Sequence, residues 1–140
     1  MTSINFFQEE IEFDLANKRA IASWVKQVIK AEKCRLKELN YIFCSDEYLY
    51  KMNVEHLDHN TFTDIITFDN SEAAEQIEGD IFISIDRVKD NASNLNLPFE
   101  EELHRVMIHG VLHLIGYGDK TENEKTQMRK KEEACLSLRQ

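Results

Sequence analysis

The feature that most constrains the fold is an apolar segment near the C-terminal end that also carries two histidines. Helical spacing predicts one helix from Phe99 to about Ile115. Pro98 suits the first turn of such a helix, and Gly116 can take the left-handed conformation that ends one. The apolar side chains surround the helix almost completely: Leu103, Val106, Met107, Ile108, Val111, Leu112, Leu114 and Ile115. A helix of this kind is typically buried, so the remaining elements must pack around it.

The rest of the chain mixes strand and helix patterns. Short runs of strand formers predict strands at 4–7, 39–44, 64–68 and 78–85. Helical spacing predicts helices at 18–32, after the N-cap candidates Ser45 and Asp46, at 86–95, and after a capping box at Thr121 and Glu124. A polar loop is expected over about 55–61. Because there is no strict βαβ repeat and no glycine-rich phosphate loop, we predict an α+β fold, a small mixed β-sheet packed by helices.

Composition limits the possible functions. No apolar stretch approaches membrane-spanning length, and the N-terminus lacks the basic start and apolar run of a signal peptide. Cys34, Cys44 and Cys135 are widely separated, as expected for reduced thiols, so we expect a cytoplasmic protein with no membrane partner. The formal net charge of −9 argues against tight nonspecific binding to nucleic acid, although a local basic patch or a bound cation could still receive a phosphate.

A metal-ligand pattern lies within the buried helix. His109 and His113 are four residues apart, which places them on one helical face with Cβ atoms roughly 5–6 Å apart. Such a pair alone also occurs as hydrogen-bonded core histidines. Gly116 and Asp119 favour a metal, because Asp119 follows His109 by ten residues, as the last ligand does in the zinc signature H-E-x-x-H-x-x-G-x-x-H. We therefore predict a single metallohydrolase-like domain over residues 1–140 that binds one divalent ion, zinc, on its central helix.

The residue after the first histidine bears on the chemistry. In metallopeptidases of the H-E-x-x-H type, this position holds the glutamate that acts as general base. The chain has Gly110 there. Peptide hydrolysis is therefore disfavoured, and a metallopeptidase is the weakest of the functions considered.

The run from His109 to Tyr117 reads H-G-V-L-H-L-I-G-Y. It resembles the H-G-x-L-H-L-x-G-Y core of the YbeY family of bacterial rRNA maturation factors. The run 63–68, T-D-I-I-T-F, resembles its T-D-V-L-S-F strand, and Gly79-Asp80-Ile81 resembles its G-D-I. Glu101-Glu102-Leu103 with Arg105 resembles the approach to the core motif. In order and spacing, the resemblance covers nearly the whole chain.

This resemblance implies a metal-dependent, single-strand-specific endoribonuclease. Its expected role is maturation of the 3′ end of small-subunit rRNA and ribosome quality control, with ribosomal RNA and the ribosome or ribosomal proteins as partners. The alternative is a noncatalytic ribosome-assembly module, in which the metal only fixes the fold and the acidic surface docks a protein.

Two positions depart from the family pattern. Asp119 stands where the family usually has its third histidine, and Leu57 aligns with a family arginine thought to act near the metal. With Gly110 as well, the general base is not identified by the sequence. The candidates for catalysis are Arg105, which could contact a phosphate or pair with a neighbouring glutamate, and His59 in the polar loop.

Several other polar residues have a structural interpretation as well as a functional one. His56 is expected to be a solvated loop residue and His104 a structural one. Asp64 and Asp80 could orient side chains near the site or cap strand ends. The cations of the last helix are interleaved with acids, which favours a solvated face over an RNA track. They are Lys120, Lys125, Arg129, Lys130 and Lys131.

Overall fold

The computed structural model describes residues 3–57 and 63–139, with the side chains of residues 56 and 57 left out. In this part of the chain, four strands and five helices follow one another. They are β1 (Ser3–Glu9), α1 (Lys18–Ala31), β2 (Arg35–Cys44), α2 (Asp46–Leu57), β3 (Ile65–Asp69), β4 (Gln76–Ser84), α3 (Ile85–Leu95), α4 (Phe99–Ile115) and α5 (Glu122–Leu136). None of these helices has the length and apolar character needed to cross a lipid bilayer.

The four strands form one mixed sheet in the order β1-β2-β4-β3. The first two pairs are parallel, with Tyr41 of β2 opposite Ile81 of β4, whereas β3 runs antiparallel to β4. A parallel pair needs a crossover connection, which α1 supplies between β1 and β2. The predicted α+β class and the small mixed sheet are confirmed.

Side chains alternate between the two faces of the sheet, as the strand period requires. One face packs on α1 and α4, and its buried residues include Tyr41, Phe43 and Ile83. The hydroxyl of Tyr41 donates to the carbonyl of Met107 on α4, 3.1 Å away. The opposite face carries a smaller cluster in which Leu49 of α2 is buried. The main core therefore lies between the sheet and α4.

Helix α4 approaches the sheet closely at two glycines. A Cβ at Gly110 would lie 2.9 Å from Cδ1 of Ile65 and 3.0 Å from the side chain of Ile81. A Cβ at Gly79 on β4 would lie 2.4 Å from the carbonyl oxygen of Phe68 and 3.3 Å from Leu114 of α4. A larger side chain at either position would require its neighbours to move. This close packing gives a physical reason for the glycine in the G-D-I run and for the glycine in the H-G pair.

Element ends follow the predicted caps with one correction. The capping box at Thr121 and Glu124 is present, and the hydroxyl oxygen of Ser45 accepts a hydrogen bond from the backbone N–H of Tyr48, 3.1 Å away, in the first turn of α2. Helix α2, however, continues to Leu57, so the prediction of a polar loop from about residue 55 was wrong at its start. No glycine or proline interrupts 46–57, and the helix simply runs on. Residues 58–61 of that predicted loop lie outside the described residues.

The two glycine contacts predict different costs for adding a methyl group. We expect Gly79→Ala to lower the free energy of unfolding by about 1–3 kcal/mol, because its Cβ meets a backbone oxygen that cannot rotate away. Gly110→Ala should cost less, since its neighbours are side chains and alanine improves helix propensity by about 1 kcal/mol. Urea denaturation of both variants measures this order. An equal or larger loss at Gly110 would contradict it.

Candidate metal centre

The second half of α4 and the turn after it bring three metal-ligand side chains together. The rings of His109 and His113 are 4.5 Å apart between centroids. Beyond the helix, Gly116 adopts φ 126°, a conformation that turns the chain back. As a result, Oδ2 of Asp119 lies 3.4 Å from Nε2 of His109 and 3.3 Å from Nε2 of His113. The structure thus brings the three predicted ligands to one point.

The spacing of these atoms fits a divalent ion. Ligand atoms about 2.0–2.1 Å from a tetrahedral ion lie about 3.3–3.4 Å apart, which is the separation seen from each histidine to the aspartate. One ligand atom from each of the three residues lies within 4.8 Å of the others. The side chains are 16%, 27% and 41% exposed for His109, His113 and Asp119, so solvent can reach the ligand atoms.

The start of α5 holds the turn that carries Asp119. The carboxylate of Glu124 accepts hydrogen bonds from the backbone N–H groups of Lys120 and Thr121, at 3.2 and 3.0 Å. Gly118 lies against the same carboxylate, and a Cβ there would be 2.4 Å from Oε2 of Glu124. The capping box therefore fixes the residues that follow Asp119, and a side chain at Gly118 would have to displace the capping carboxylate.

The other ring nitrogen of each histidine has a partner of its own. Nδ1 of His109 lies 2.5 Å from Oε2 of Glu132 on α5, and Nδ1 of His113 lies 3.1 Å from the carbonyl oxygen of Tyr117. Because both partners are acceptors, each Nδ1 is the protonated nitrogen, which leaves Nε2 with a free lone pair. Carboxylate and carbonyl partners of this kind orient metal-binding histidines in proteins.

Glu132 belongs to a buried charge network that also holds Arg105. The guanidinium donates to Glu132 at 3.1 Å and makes two hydrogen bonds to Glu102, whose side chain is fully buried. Burial raises the pKa of Glu132. The hydrogen bond with His109 and the charge of Arg105 together lower it by more, so the pKa lies below its usual value. Of the two roles left open for Arg105, the ion pair with a neighbouring glutamate is therefore the one seen.

A second network supports the His113 side of the site. The hydroxyl of Tyr117 donates to Oε1 of Glu32 at the end of α1, 2.7 Å away. Lys131 of α5 lies 2.7 Å from Oε2 of Glu32 and 5.9 Å from the centre of the Tyr117 ring. Burial raises the pKa of Glu32, but the hydrogen bonds from Lys131 and Tyr117 hold that pKa below its usual value. These contacts fasten the residue whose carbonyl accepts from His113.

Of the two aspartates considered earlier, only one lies near the site. Asp64 precedes β3 and accepts a hydrogen bond from Asn91 of α3 at 3.1 Å. Burial raises the pKa of Asp64, and the charges of Arg105 and His109 oppose that rise. The carboxyl group of Asp64 therefore lies close enough to both residues to interact with them electrostatically. Asp80 instead bonds to Asn40 on the sheet face, 2.9 Å away.

The remaining histidines do not join the site in the described part of the chain. His104 contacts Trp24 and Arg139, in agreement with its structural reading, and burial lowers its pKa. His59 lies outside the described residues. His56 falls within α2, and its side chain, like that of Leu57, is not described.

Glu132 is a residue of the site that the sequence pattern did not predict. The interleaved cations and acids of α5 had indicated a solvated helix face. A signal was nevertheless available, because Glu132 follows the buried Met128 by four residues and precedes the buried Cys135 by three. The three side chains share the inward face of α5.

Removing the cation of the buried network tests its contribution to stability. We expect Arg105→Met to lower the free energy of unfolding by about 3–5 kcal/mol, because two carboxylates are left without their counter-charge. Adding Glu102→Gln should restore part of this loss, since it removes one of those carboxylates. Urea denaturation of wild type, the single variant and the double variant measures both effects. A double variant less stable than Arg105→Met would contradict the assignment.

Comparison with known proteins places the chain in a family. The family model of endoribonuclease YbeY matches residues 3–139. A Cytophaga hutchinsonii protein named endoribonuclease YbeY is 58% identical over 98% of this chain and 96% of its own length. A relative of the same name from Flavobacterium johnsoniae is 49% identical over 94% of each chain. The solution structure of a Thermotoga maritima protein shares the fold, with a TM-score of 0.69 and 24% identity over 97% of this chain and 88% of that one. This chain therefore belongs to the endoribonuclease YbeY family.

Proposed function

We propose that this protein cleaves single-stranded RNA at a site that holds one divalent ion, zinc, between His109, His113 and Asp119. The chain is a member of an endoribonuclease family and hence a hydrolase of RNA phosphodiester bonds. The observation that carries the proposed site is the convergence of three ligand atoms, with each histidine already paired through its other nitrogen.

The residues around the site have separable tasks. Glu132 holds the ring of His109, and the carbonyl of Tyr117 holds that of His113, so both Nε2 atoms face Asp119. A divalent ion held by these three residues would supply Lewis acidity toward a phosphoryl oxygen and would lower the pKa of a bound water. Asp119 adds a negative charge to the site, which makes the centre one unit less positive than a three-histidine set would be.

Gly110 supports RNA over peptide as the substrate. A glutamate in its place would have to push between Ile65 and Ile81, where even a Cβ is crowded. The base of the H-E-x-x-H peptidases is therefore absent here, and a glutamate at this position would have to displace both isoleucine side chains. Arg105 is engaged by glutamates, since Glu102 and Glu132 accept hydrogen bonds from three of its five N–H groups.

The cellular role that we propose follows the family. The substrate is ribosomal RNA, with processing at the 3′ end of the small-subunit rRNA and a part in ribosome quality control. Ribosomes or ribosomal proteins are the proposed partners, and the cytoplasm is the proposed location. We also propose that residues 1–140 form a single domain that carries the whole site.

Metal analysis tests the ligand set. Wild type should carry about one equivalent of zinc, and Asp119→Ala should retain less than about a tenth of it under the same dialysis, because removing even an orienting group costs 10–100-fold in metal affinity. Asp119→His should keep the metal, since imidazole is a competent zinc ligand. The control is Glu122→Ala, which removes a 94%-exposed carboxylate three residues away. Undiminished loading of Asp119→Ala would remove Asp119 from the site.

Cleavage of a labelled single-stranded RNA tests the activity. Metal-loaded wild type should cut it, whereas His113→Ala should be at least about 100-fold slower because the ion is lost. The Glu122→Ala control should match wild type. Equal cleavage by wild type and His113→Ala would point to a contaminating ribonuclease and overturn the proposal. Ribosome association by a wild type that cleaves no RNA would instead favour the noncatalytic assembly module.

A further inference from the structure

The positive charge of this acidic chain is concentrated in one segment. Seven of its 17 Lys and Arg residues fall within residues 18–37, where Glu32 is the single acidic residue. That segment carries a formal charge of +6, although the chain as a whole carries −9. The global charge therefore conceals an excess of positive charge along α1 and the start of β2. Two of the seven cations are paired with acids outside the segment, Lys18 with Asp14 and Lys37 with Glu78.

Four of these cations form a stripe on the outside of α1, which we call the basic face. Arg19, Lys26 and Lys30 follow one another at intervals of seven and four residues, and Lys33 comes three residues later, just beyond the helix. The intervals within the helix keep Arg19, Lys26 and Lys30 on one helical face. Lys33 adopts φ 61° and extends the row past the C-terminal end of the helix. All four residues are exposed. From Arg19 to Lys30 the stripe extends about 16 Å along the helix axis.

The cations of the basic face are not neutralised within the described ranges. None of the four forms an ion pair with a carboxylate among residues 3–57 and 63–139, whereas Lys125 and Lys131 of α5 each pair with a glutamate. The one acid of the segment, Glu32, is turned inward to Tyr117 and Lys131. The basic face thus presents uncompensated charge to solvent.

One end of the basic face adjoins the candidate metal centre. Glu32 follows Lys30 by two residues and bonds to the hydroxyl of Tyr117 at 2.7 Å. The carbonyl of the same tyrosine lies 3.1 Å from Nδ1 of His113. A chain of direct contacts therefore connects the C-terminal end of α1 with a metal ligand.

The opposite side of α1 limits what the basic face can bind. Its apolar residues are already in the core: Ile21, Trp24, Val25, Val28 and Ile29. A basic amphipathic helix binds a membrane by inserting its apolar face, and here that face is not available. What remains is a row of charges with no large apolar side chain exposed between them, which suits the phosphates of a nucleic acid backbone.

We propose that the basic face binds the phosphate backbone of single-stranded RNA and holds the strand beside the metal centre. This inference rests on the proposed function, because it assumes an RNA substrate. Contacts of this kind position a strand without reading its sequence. They also give an acidic protein a local means of attracting a polyanion.

Two triple variants test the inference while changing the net charge equally. The first is Lys26→Gln/Lys30→Gln/Lys33→Gln on the basic face. The second, the matched control, is Lys125→Gln/Arg129→Gln/Lys130→Gln on the exposed side of α5. Both are measured in the His113→Ala background, so that the RNA is not cut during the assay. Fluorescence anisotropy of a labelled single-stranded RNA gives the affinity at several salt concentrations.

We expect the basic-face triple to weaken RNA binding by at least about ten-fold and the control by less than about two-fold. The slope of log K against log salt should decrease in magnitude by about 2 for the basic-face triple, since each phosphate contact on a single strand contributes about 0.7. Equal losses in the two triples, or no loss in either, would overturn the proposal. The proposal would also be overturned if the basic-face triple bound RNA as well as wild type and lost binding only to vesicles containing phosphatidylserine.

Cleavage kinetics separate this inference from the proposed function. With His113 restored, the basic-face triple should show a higher KM for a long RNA and an unchanged kcat. If wild type cleaves RNA and the basic-face triple has an unchanged KM, the inference that the basic face binds RNA is wrong, and the proposed function stands. If wild type cleaves no RNA, the proposed function fails, and the anisotropy measurement still decides whether the basic face binds RNA.

Discussion

The close approach of α4 to the sheet determines the rest of the arrangement. Gly110 lies against Ile65 and Ile81, and Gly79 admits Leu114 from the same helix. Successive residues of a helix are rotated by about 100°, so fixing Gly110 against the strands also fixes the direction of its neighbour His109. The two histidines then face α5 and the turn beyond Gly116. A bulkier residue at either glycine would shift the ligands as well as the core.

Buried charge provides the second layer of organisation. Arg105 contacts carboxylates from two helices, Glu102 on its own helix and Glu132 on α5. Burying such groups is costly, and hydrophobic residues of similar volume would often give an equally stable protein. What the charges add is orientation, because Glu132 accepts from His109 through one oxygen while Arg105 binds the other. The network thus links the docking of α5 to the geometry of a ligand.

Much of this could be predicted from local sequence pattern. Helix α4, the strands and the capping box follow from periodicity and cap residues, and the spacing of His109, His113 and Asp119 indicated their convergence. Glu132 could not be assigned in the same way, since its partner depends on how α5 docks on α4. The role of Arg105 was open for the same reason. The basic face was obscured by the net charge, which averages over surfaces that only the fold separates.

The capping box of α5 has a consequence for energetics beyond the helix itself. Glu124 holds the turn before α5, and Glu132, further along the same helix, supports His109. Local opening of α5 would therefore release Asp119 and the partner of His109 in a single step. Ion affinity and the local stability of α5 then draw on a shared free energy, so a bound ion slows amide hydrogen exchange in this helix. A segment with few apolar contacts of its own thereby acquires cooperativity with the centre that it encloses.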